Sequence, residues 1–208
     1  MMKGKFITIE GGEGAGKSSM MDRLAGWLES HDHRVVRTRE PGGTVLAEKI
    51  RAILLDDQHG ELSGQSELLL VFASRAQHLE ELIRPALARG DTVLCDRFTD
   101  ASWAYQGGGR QMPLEWIAAL EQMVHGDLQP DLTLLLDLPV EQGLERASRR
   151  GEADRFEQES TRFFKRVRQA YLARAKSSAD RFEIIDASGD MEQVWLQIES
   201  VLKRRLGQ

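Results

Sequence analysis

The sequence predicts an α/β fold, in which helices cover both faces of a five-stranded parallel sheet. Two observations predict it. Five short runs of β-branched and other apolar residues alternate with longer stretches in which apolar residues recur at helical spacing. Residues 132–136 also form an almost uninterrupted apolar run. Such a run indicates a strand buried on both faces, as the central strands of a parallel sheet are.

The first part of the chain contains two of the predicted strands. Residues 6–9 are rich in β-branched side chains and lead into glycine-rich sequence, so they form the first strand. A helix follows over 17–30, and residues 35–36 form a short second strand. Thr44 caps the next helix, which ends before a polar break near Gly60.

The middle of the chain is dominated by apolar helical sequence. One long stretch runs over 66–90, and Pro85 marks a kink or a fresh start within it. Residues 92–95 form the third strand. A glycine loop at 107–109 then precedes a helix over 114–124.

Beyond the fourth strand, the chain contains a helix over 140–148, a charge-dense segment over 149–159 and a further helix. Residues 182–185 form the fifth strand, and 194–202 form an amphipathic final helix. No repeat, low-complexity tract or evident linker interrupts the sequence. We therefore expect residues 1–208 to form one domain.

Composition excludes several classes of function. The chain has 28 Lys and Arg residues against 33 Asp and Glu residues, a net charge of -5. Its overall field therefore repels nucleic acid and anionic lipid. The single cysteine, Cys95, cannot form an intramolecular disulfide, and no stretch has the length of a signal-peptide core or a transmembrane helix. We expect a protein of the cytoplasm.

Residues 11–18 match the nucleotide-binding pattern G-x-x-x-x-G-K-[ST]. Its glycines let backbone N–H groups point at phosphate oxygens, and the following helix adds the positive end of its dipole. Lys17 can reach the terminal phosphates of a nucleotide, and the Ser18 hydroxyl can coordinate Mg²⁺. A chance match is the alternative, with a probability below about 1%. The predicted nucleotide-binding residues are Gly11, Gly12, Glu13, Gly14, Ala15, Gly16, Lys17, Ser18 and Ser19.

This phosphate loop alone does not separate a kinase from a GTPase or an ATP-driven motor. Asp96-Arg97-Phe98 narrows the class, because it follows the third strand and ligands bind at the carboxyl ends of parallel strands. The Asp96 carboxylate can hold Mg²⁺ or water, and the Arg97 guanidinium can hold a second phosphate. A plain ion pair is the alternative, and the phosphate loop favours the functional interpretation.

Several separated motifs resemble those of bacterial thymidylate kinases, which are nucleoside monophosphate kinases of the P-loop class. The motifs are residues 10–18, 38–44, 96–98, 104–110, 130–133 with Asp137, and 154–159. The resemblance implies a three-layer P-loop kinase fold with a short lid at about 146–159. It also implies phosphorylation of dTMP to dTDP by ATP, with Mg²⁺ as cofactor, in a homodimer.

The resemblance further implies which residues bind dTMP. Arg97 holds its phosphate, Arg75 donates to a thymine carbonyl, and Tyr105 lies against the sugar, where it excludes a 2′-hydroxyl. The family's stacking aromatic lies four residues before this arginine, where the chain has Val71. Phe72 shares that helical face, so it either stacks on the base or is a core residue. The implied dTMP-binding residues are Glu13, Glu40, Pro41, Phe72, Arg75, Arg97, Ser102, Tyr105 and Gln106.

In the family the lid closes over ATP. One subgroup carries an arginine inside the phosphate loop, whereas this chain has Ala15 in that stretch, like the subgroup that takes its catalytic arginines from the lid. Arg155, and after it Arg150, is the implied lid arginine. Without the resemblance, the segment would be a solvated, charged helix end. The implied catalytic residues are Lys17, Arg97, Arg150 and Arg155.

Two other functions remain open. A kinase of another nucleotide or of a deoxynucleoside would share the phosphate loop and differ in the acceptor pocket. A regulatory module that binds nucleotide without turnover would need neither Arg97 nor a lid. The histidines lack metal-ligand spacing, so we expect them at surface or capping positions. They are His31, His33, His59, His78 and His125.

Overall fold

A computed structural model of the protein describes residues 4–56, 62–149, 155–156 and 158–207. The strands are β1 (Phe6–Gly11), β2 (Val35–Arg39), β3 (Thr92–Asp96), β4 (Leu132–Asp137) and β5 (Phe182–Asp186). They pair in parallel in the order β2-β3-β1-β4-β5. The predicted five-stranded parallel sheet is therefore confirmed.

Helices cover both faces of the sheet. They are α1 (Lys17–Glu29), α2 (Val45–Leu55), α3 (Gly64–His78), α4 (Arg84–Ala88), α5 (Thr99–Ser102), α6 (Leu114–Val124), α7 (Val140–Ser148), α8 (Thr161–Ser177) and α9 (Met191–Leu206). One π-helical segment, Leu79–Ile83, joins α3 to α4, and another, Trp103–Gly109, extends α5.

The ends of two helices follow from sequence signals. Thr44 caps α2 as predicted, because its side chain accepts a hydrogen bond from the N–H of Ala47. The expected kink or fresh start at Pro85 is a π-helical segment followed by α4, in which proline is the second residue. Proline lacks the N–H that an uninterrupted α-helix would use there. The expected break near Gly60 lies outside the described residues.

Successive side chains of β1 point to opposite faces of the sheet. Ile7 and Ile9 pack into a core with Leu24 of α1 and Ile198 of α9. Glu10 faces the opposite layer, where it meets α8. The central strand therefore has an apolar face toward α1 and α9 and carries a buried carboxyl on the other face.

The expectation of a glycine loop at 107–109 was wrong, because these residues belong to the π-helical segment Trp103–Gly109. Close packing explains the glycines. A Cβ on Gly108 would lie 2.5 Å from the Cβ of Ala170 in α8. A Cβ on Gly109 would overlap the ring of Phe163. The missing side chains let this segment lie directly against α8.

Candidate active site

The phosphate loop joins the carboxyl end of β1 to the first turn of α1. Gly14 and Gly16 have φ values of 69° and 84°, in the left-handed region that favours glycine. A Cβ on Gly14 would also lie 1.9 Å from the carbonyl oxygen of Gly143 in α7. Glycine is therefore required at this position both by the backbone conformation and by the close approach of α7.

Lys17 begins α1, and its side chain folds over the phosphate loop. It is 9% exposed, and its Nζ donates to the carbonyl oxygens of Gly11, at 3.1 Å, and Gly12, at 3.0 Å. Burial and the nearby Arg97 guanidinium lower the pKa of Lys17. The ammonium group is thus held by carbonyl groups of the loop itself, close to where the motif places bound phosphates.

A cavity of about 230 Å³ lies beside the phosphate loop at the carboxyl edge of the sheet. Its wall combines loop residues with side chains that follow β2 and β3 and side chains of α3, α5 and the π-helical segment Trp103–Gly109. The sequence-predicted residues on this wall are Glu13, Gly14, Ala15, Gly16, Lys17, Ser18, Glu40, Pro41, Arg75, Asp96, Arg97, Ser102, Tyr105 and Gln106. The predicted residues Gly11, Gly12, Ser19, Phe72 and Arg155 do not line it.

Arg97 links the phosphate loop to the rest of the cavity. Its Nη2 donates to Oε1 of Glu13 at 2.7 Å, and its Nη1 donates to the carbonyl oxygen of Gly11 at 3.0 Å. The guanidinium carbon lies 4.8 Å from the ring centroid of Tyr105. The Tyr105 hydroxyl donates to the same Glu13 oxygen at 2.7 Å. The guanidinium therefore has a fixed orientation before any ligand binds.

Arg75 of α3 is 1% exposed and is held by three acceptors. They are Oε2 of Glu40 at 2.6 Å, Oγ of Ser102 at 3.1 Å and the carbonyl oxygen of Phe98 at 3.1 Å. Burial would raise the pKa of Glu40, but Arg75 and His78 together hold it below its usual value. A guanidinium has five N–H donors, so Arg75 can also donate to a ligand in the cavity.

Phe72 packs in the core and does not line the cavity. It is 2% exposed and lies against Leu68 and Ile117, with the Arg75 guanidinium carbon 4.6 Å from its ring centroid. Val71 lies on the cavity wall instead. Of the two interpretations of Phe72, the structure favours the core residue, because packing against α6 turns the ring away from the cavity.

Arg155, which the resemblance assigns to a lid, contacts α2 and α3. Its Nη2 donates to Oε2 of Glu67 at 2.6 Å, and its Nε donates to the carbonyl oxygen of Leu54 at 2.8 Å. The neighbouring Phe156 lies on the cavity wall. Arg150 lies outside the described residues. The proposed catalytic contacts of both arginines stay predictions.

Asp96 and Ser18 lie on the cavity wall. Among the described residues, Oδ1 of Asp96 has no hydrogen-bond partner although it is buried. An unpaired, buried carboxylate oxygen costs free energy unless a ligand satisfies it. These two oxygen-bearing side chains could together hold a divalent cation.

Sequence reasoning missed Arg51 and Leu55 of α2, which also line the cavity. The guanidinium of Arg51 donates to the carbonyl oxygen of Pro41 at 2.9 Å. Residues four apart share one face of a helix. The spacing of these two residues could have indicated a common surface, but the sequence does not show what that surface faces.

Sequence reasoning also passed over Glu10, which is completely buried at the end of β1. Its Oε1 accepts from the N–H of Phe98, and its Oε2 accepts from the hydroxyl of Tyr171, each at 2.7 Å. Burial, and after it the nearby Asp100 carboxylate, raises the pKa of Glu10 to about 8. Glu10 begins the motif at residues 10–18, but the motif does not show this role, because the partners of Glu10 are distant in sequence.

Two histidines are buried, which corrects the expectation of a surface position, although one of them, His125, does occupy a capping position at the end of α6. His78 is 0% exposed, and its ring nitrogens contact Glu40 at 3.0 Å and Thr38 at 2.6 Å. His125 is 2% exposed and contacts Thr99 through Nε2 at 2.8 Å. Since their partners lie on other elements, both rings connect parts of the core. Cys95 of β3 is also buried.

The parallel sheet, the phosphate loop after β1 and the second, arginine-lined part of the cavity define a P-loop kinase. The family model for thymidylate kinase matches residues 9–198. The chain belongs to the thymidylate kinase family, and it phosphorylates dTMP to dTDP with ATP. No helix in the part of the chain that the structure describes is long and apolar enough to cross a membrane.

Similar proteins match almost the whole chain. A thymidylate kinase of Pseudomonas putida strain F1 is 59% identical over 201 residues, which cover 97% of this chain and 96% of that protein. One of Pseudomonas syringae pv. tomato is 58% identical over 205 residues, covering 99% and 98%. The crystal structure of thymidylate kinase from Ehrlichia chaffeensis has a TM-score of 0.79 at 33% identity and covers 96% of this chain and 98% of its own. The predicted P-loop kinase fold is therefore confirmed.

Proposed function

We propose that dTMP binds in the cavity with its phosphate at Arg97, while the terminal phosphates of ATP lie on the phosphate loop. One observation carries this proposal: a single wall contains both Lys17 of the loop and Arg97 of the acceptor side. Both side chains donate to the carbonyl oxygen of Gly11, which supports binding the two reacting groups side by side for in-line transfer. Catalysis then depends on positioning and charge stabilisation, with no covalent intermediate.

The remaining wall residues fit the nucleoside. Arg75 is oriented by Glu40 and supplies N–H donors for a thymine carbonyl. Tyr105 is held by Glu13 and lies against the sugar, where its ring leaves no room for a 2′-hydroxyl. Ser102, Gln106 and Pro41 complete the proposed dTMP contacts on this wall.

We propose Mg²⁺ as the divalent cation, with Ser18 and Asp96 as the residues that hold it. The unpaired Oδ1 of Asp96 supports this, because Mg²⁺ prefers oxygen ligands. When bound, the ion neutralises charge on the phosphates. Lys17 contributes a second positive charge on the same side of the cavity.

The lid arginines are proposed to stabilise charge on the transferred phosphoryl group after the lid closes. Arg155 can do this only if it leaves Glu67 and the carbonyl group of Leu54. Lid closure would then exchange a carboxylate partner for a phosphoryl partner. Arg150 is the alternative source of this charge.

We propose that two copies of the chain form a homodimer. Among the described residues, most of the exposed large apolar side chains lie on three helices, α2, α3 and α6, and burial in a dimer would remove these from water. They are Val45, Leu46, Ile53, Leu69, Leu114, Trp116 and Met123. Light scattering should give a mass of about twice 23.4 kDa. A monomer at assay concentration would contradict this proposal.

We further propose that residues 1–208 work as a single domain and that the protein acts in the cytoplasm. The described cavity wall is assembled from distant parts of the chain, from Glu13 to Phe156, which supports one cooperative unit. Cell fractionation would test the location, and a single unfolding transition followed by two spectroscopic probes would test the single domain.

Substrate choice is tested by ATP consumption with dTMP, dUMP, dCMP, GMP, AMP and thymidine. We expect dTMP to be the best acceptor, because Tyr105 excludes ribose and Arg75 recognises the base. Equal or higher activity with another acceptor would contradict the proposed pocket. Tight ATP binding without transfer to any acceptor would favour a regulatory module instead.

The role of the loop is tested with Lys17→Ala. We expect kcat to fall on the order of 10³-fold, because a charge-stabilising donor is removed from the transition state. The melting temperature should change little, since Nζ donates to loop carbonyl groups and forms no ion pair with a carboxylate of the described residues. Near-normal turnover in a folded Lys17→Ala protein would refute the role assigned to this lysine.

A further inference from the structure

Glu10 contacts the backbone that carries Arg97. Arg97 has a φ of 68°, a left-handed conformation that a non-glycine residue rarely adopts. The peptide bond that follows Arg97 is fixed by Glu10, because the N–H of Phe98 donates to Oε1 of Glu10 at 2.7 Å. A second backbone bond, from the N–H of Arg97 to the carbonyl oxygen of Ile9 at 3.0 Å, ties the same turn to β1.

Glu10 also reaches the guanidinium of Arg97 through one intermediate. The Tyr171 hydroxyl of α8 donates to Oε2 of Glu10 at 2.7 Å. The same hydroxyl oxygen accepts from Nη1 of Arg97 at 3.3 Å. Tyr171 is 2% exposed and Glu10 is 0% exposed, so water does not replace these contacts.

Neither Glu10 nor Tyr171 lies on the wall of the cavity beside the phosphate loop. Their side chains therefore have no direct access to substrate in that cavity. Each fixes a different part of Arg97: Glu10 holds the following peptide, and Tyr171 holds one side of the guanidinium. The Arg97 guanidinium also donates hydrogen bonds to Glu13 and to the carbonyl oxygen of Gly11.

We propose that Glu10 and Tyr171 are positioning residues that fix the backbone turn and guanidinium of Arg97 in the orientation needed to grip the phosphate of dTMP. This inference rests on the proposed role of Arg97 as the arginine that binds the phosphate of dTMP. A pre-oriented guanidinium loses less conformational freedom when it binds two phosphate oxygens. Loosening it should therefore weaken dTMP binding selectively.

The test compares Tyr171→Phe, Glu10→Gln and the double variant. Tyr171→Phe keeps the ring and removes only the hydroxyl. Glu10→Gln keeps the shape of the side chain but has one acceptor oxygen, so it cannot accept from both the Phe98 N–H and the Tyr171 hydroxyl. Thr8→Val is the matched control, since Thr8 lies on the same strand and its buried hydroxyl pairs with Thr133 at 2.9 Å, away from Arg97. If Glu10→Gln does not fold, Tyr171→Phe carries the test alone.

Tyr171→Phe removes two buried hydrogen bonds, and the one from Arg97 bears directly on the guanidinium. We expect it to raise KM for dTMP by about 3- to 10-fold, the effect of losing one such bond at Arg97. KM for ATP should stay within about twofold. The double variant should raise KM for dTMP by less than the product of the two single effects, because both residues act on one arginine. Thr8→Val should lower the melting temperature but leave KM for dTMP unchanged.

Arg97→Ala separates the positioning role of Glu10 and Tyr171 from the phosphate-binding role of Arg97. If it raises KM for dTMP strongly while Tyr171→Phe and Glu10→Gln change only the melting temperature, the positioning role is wrong and the acceptor role stands. An equal rise in KM in Thr8→Val would also overturn the positioning role, since the effect would then be general to buried hydroxyl groups. If Arg97→Ala leaves KM for dTMP unchanged, the proposed acceptor site fails, and this inference fails with it.

Discussion

Replacing Glu67 by alanine should destabilise the protein and loosen one side of the cavity. Glu67 is 0% exposed and joins three elements through its carboxylate. Oε1 accepts from Gln106 at 2.9 Å, and Oε2 accepts from Arg110 at 3.1 Å and Arg155 at 2.6 Å. Glu67→Ala removes these acceptors and leaves two guanidinium groups with fewer partners.

The magnitude follows from the burial of the three charges. Removing one partner of a buried ion pair costs about 3–5 kcal/mol. The side chains of Arg110 and Arg155 are 21% and 16% exposed, so water partly solvates them once the carboxylate is gone. We therefore expect the lower end, about 3 kcal/mol in the free energy of unfolding. For a chain of this size that corresponds to a fall in Tm of about 6–12 °C.

Urea unfolding followed by circular dichroism measures the change for Glu67→Ala. Glu145→Ala is the matched control, because it removes the same charge from an exposed pair with Arg149. That pair should contribute less than about 0.5 kcal/mol. A loss below about 1 kcal/mol in Glu67→Ala would contradict this prediction, since the carboxylate would then not hold the two arginines together.

Two further predictions concern the core. Leu134→Ala in β4 should lower the free energy of unfolding, measured by urea denaturation, by about 2–5 kcal/mol. Leu134 is fully buried, and the sheet cannot close the cavity left behind. A loss below about 1 kcal/mol would contradict this prediction. The pKa of Glu10 lies at about 8 against 4.5 in the unfolded chain, so the folded protein binds the extra proton between these values. Relative to Glu10→Gln, the wild type should therefore lose stability as pH rises from about 4.5 to 8, by at most about 5 kcal/mol. The free energy of unfolding of both proteins, measured in urea across this pH range, tests this, and parallel profiles would disprove the high pKa.

The sheet and the phosphate loop could be predicted from the sequence because their signals are local. Apolar runs define each strand, and the loop motif lies within eight consecutive residues. Phe72 could not be placed this way. Positions three and four before Arg75 share a helical face, and only contact with Ile117 of α6 turns Phe72 into the core. That contact joins residues far apart in the sequence.

The same physical limit applies to Gly108 and Gly109 and to Arg155. Gly108 and Gly109 carry the usual signal of a loop, yet close contact with α8 is what requires them. Arg155 pairs with Glu67 across 88 positions of the sequence, so its partner cannot be found from spacing. Sequence patterns thus predict elements and motif residues, whereas long-range packing decides which side chains reach the cavity.

A net charge of -5 is compatible with a site for two anions because the charges on the cavity wall are arranged locally. The charged residues of the described wall are Lys17, Arg51, Arg75 and Arg97 against Glu13, Glu40 and Asp96, four cations against three anions, or one net positive charge. Net attraction from the side chains is therefore small. Backbone N–H groups of the loop must supply much of the field for phosphate.

The carboxylates on the wall have a different task, which is to orient the arginines. Glu13 holds Arg97 and Glu40 holds Arg75 before substrate binds. A phosphate can accept from the same fork-shaped guanidinium without a large rearrangement. Each paired arginine therefore gives up little conformational entropy on binding, at the cost of some attraction. If this argument is correct, Glu13→Gln should free Arg97 from its carboxylate partner and leave its position less defined. KM for dTMP should then rise despite the gain in net positive charge, and a fall in KM would show that attraction outweighs orientation.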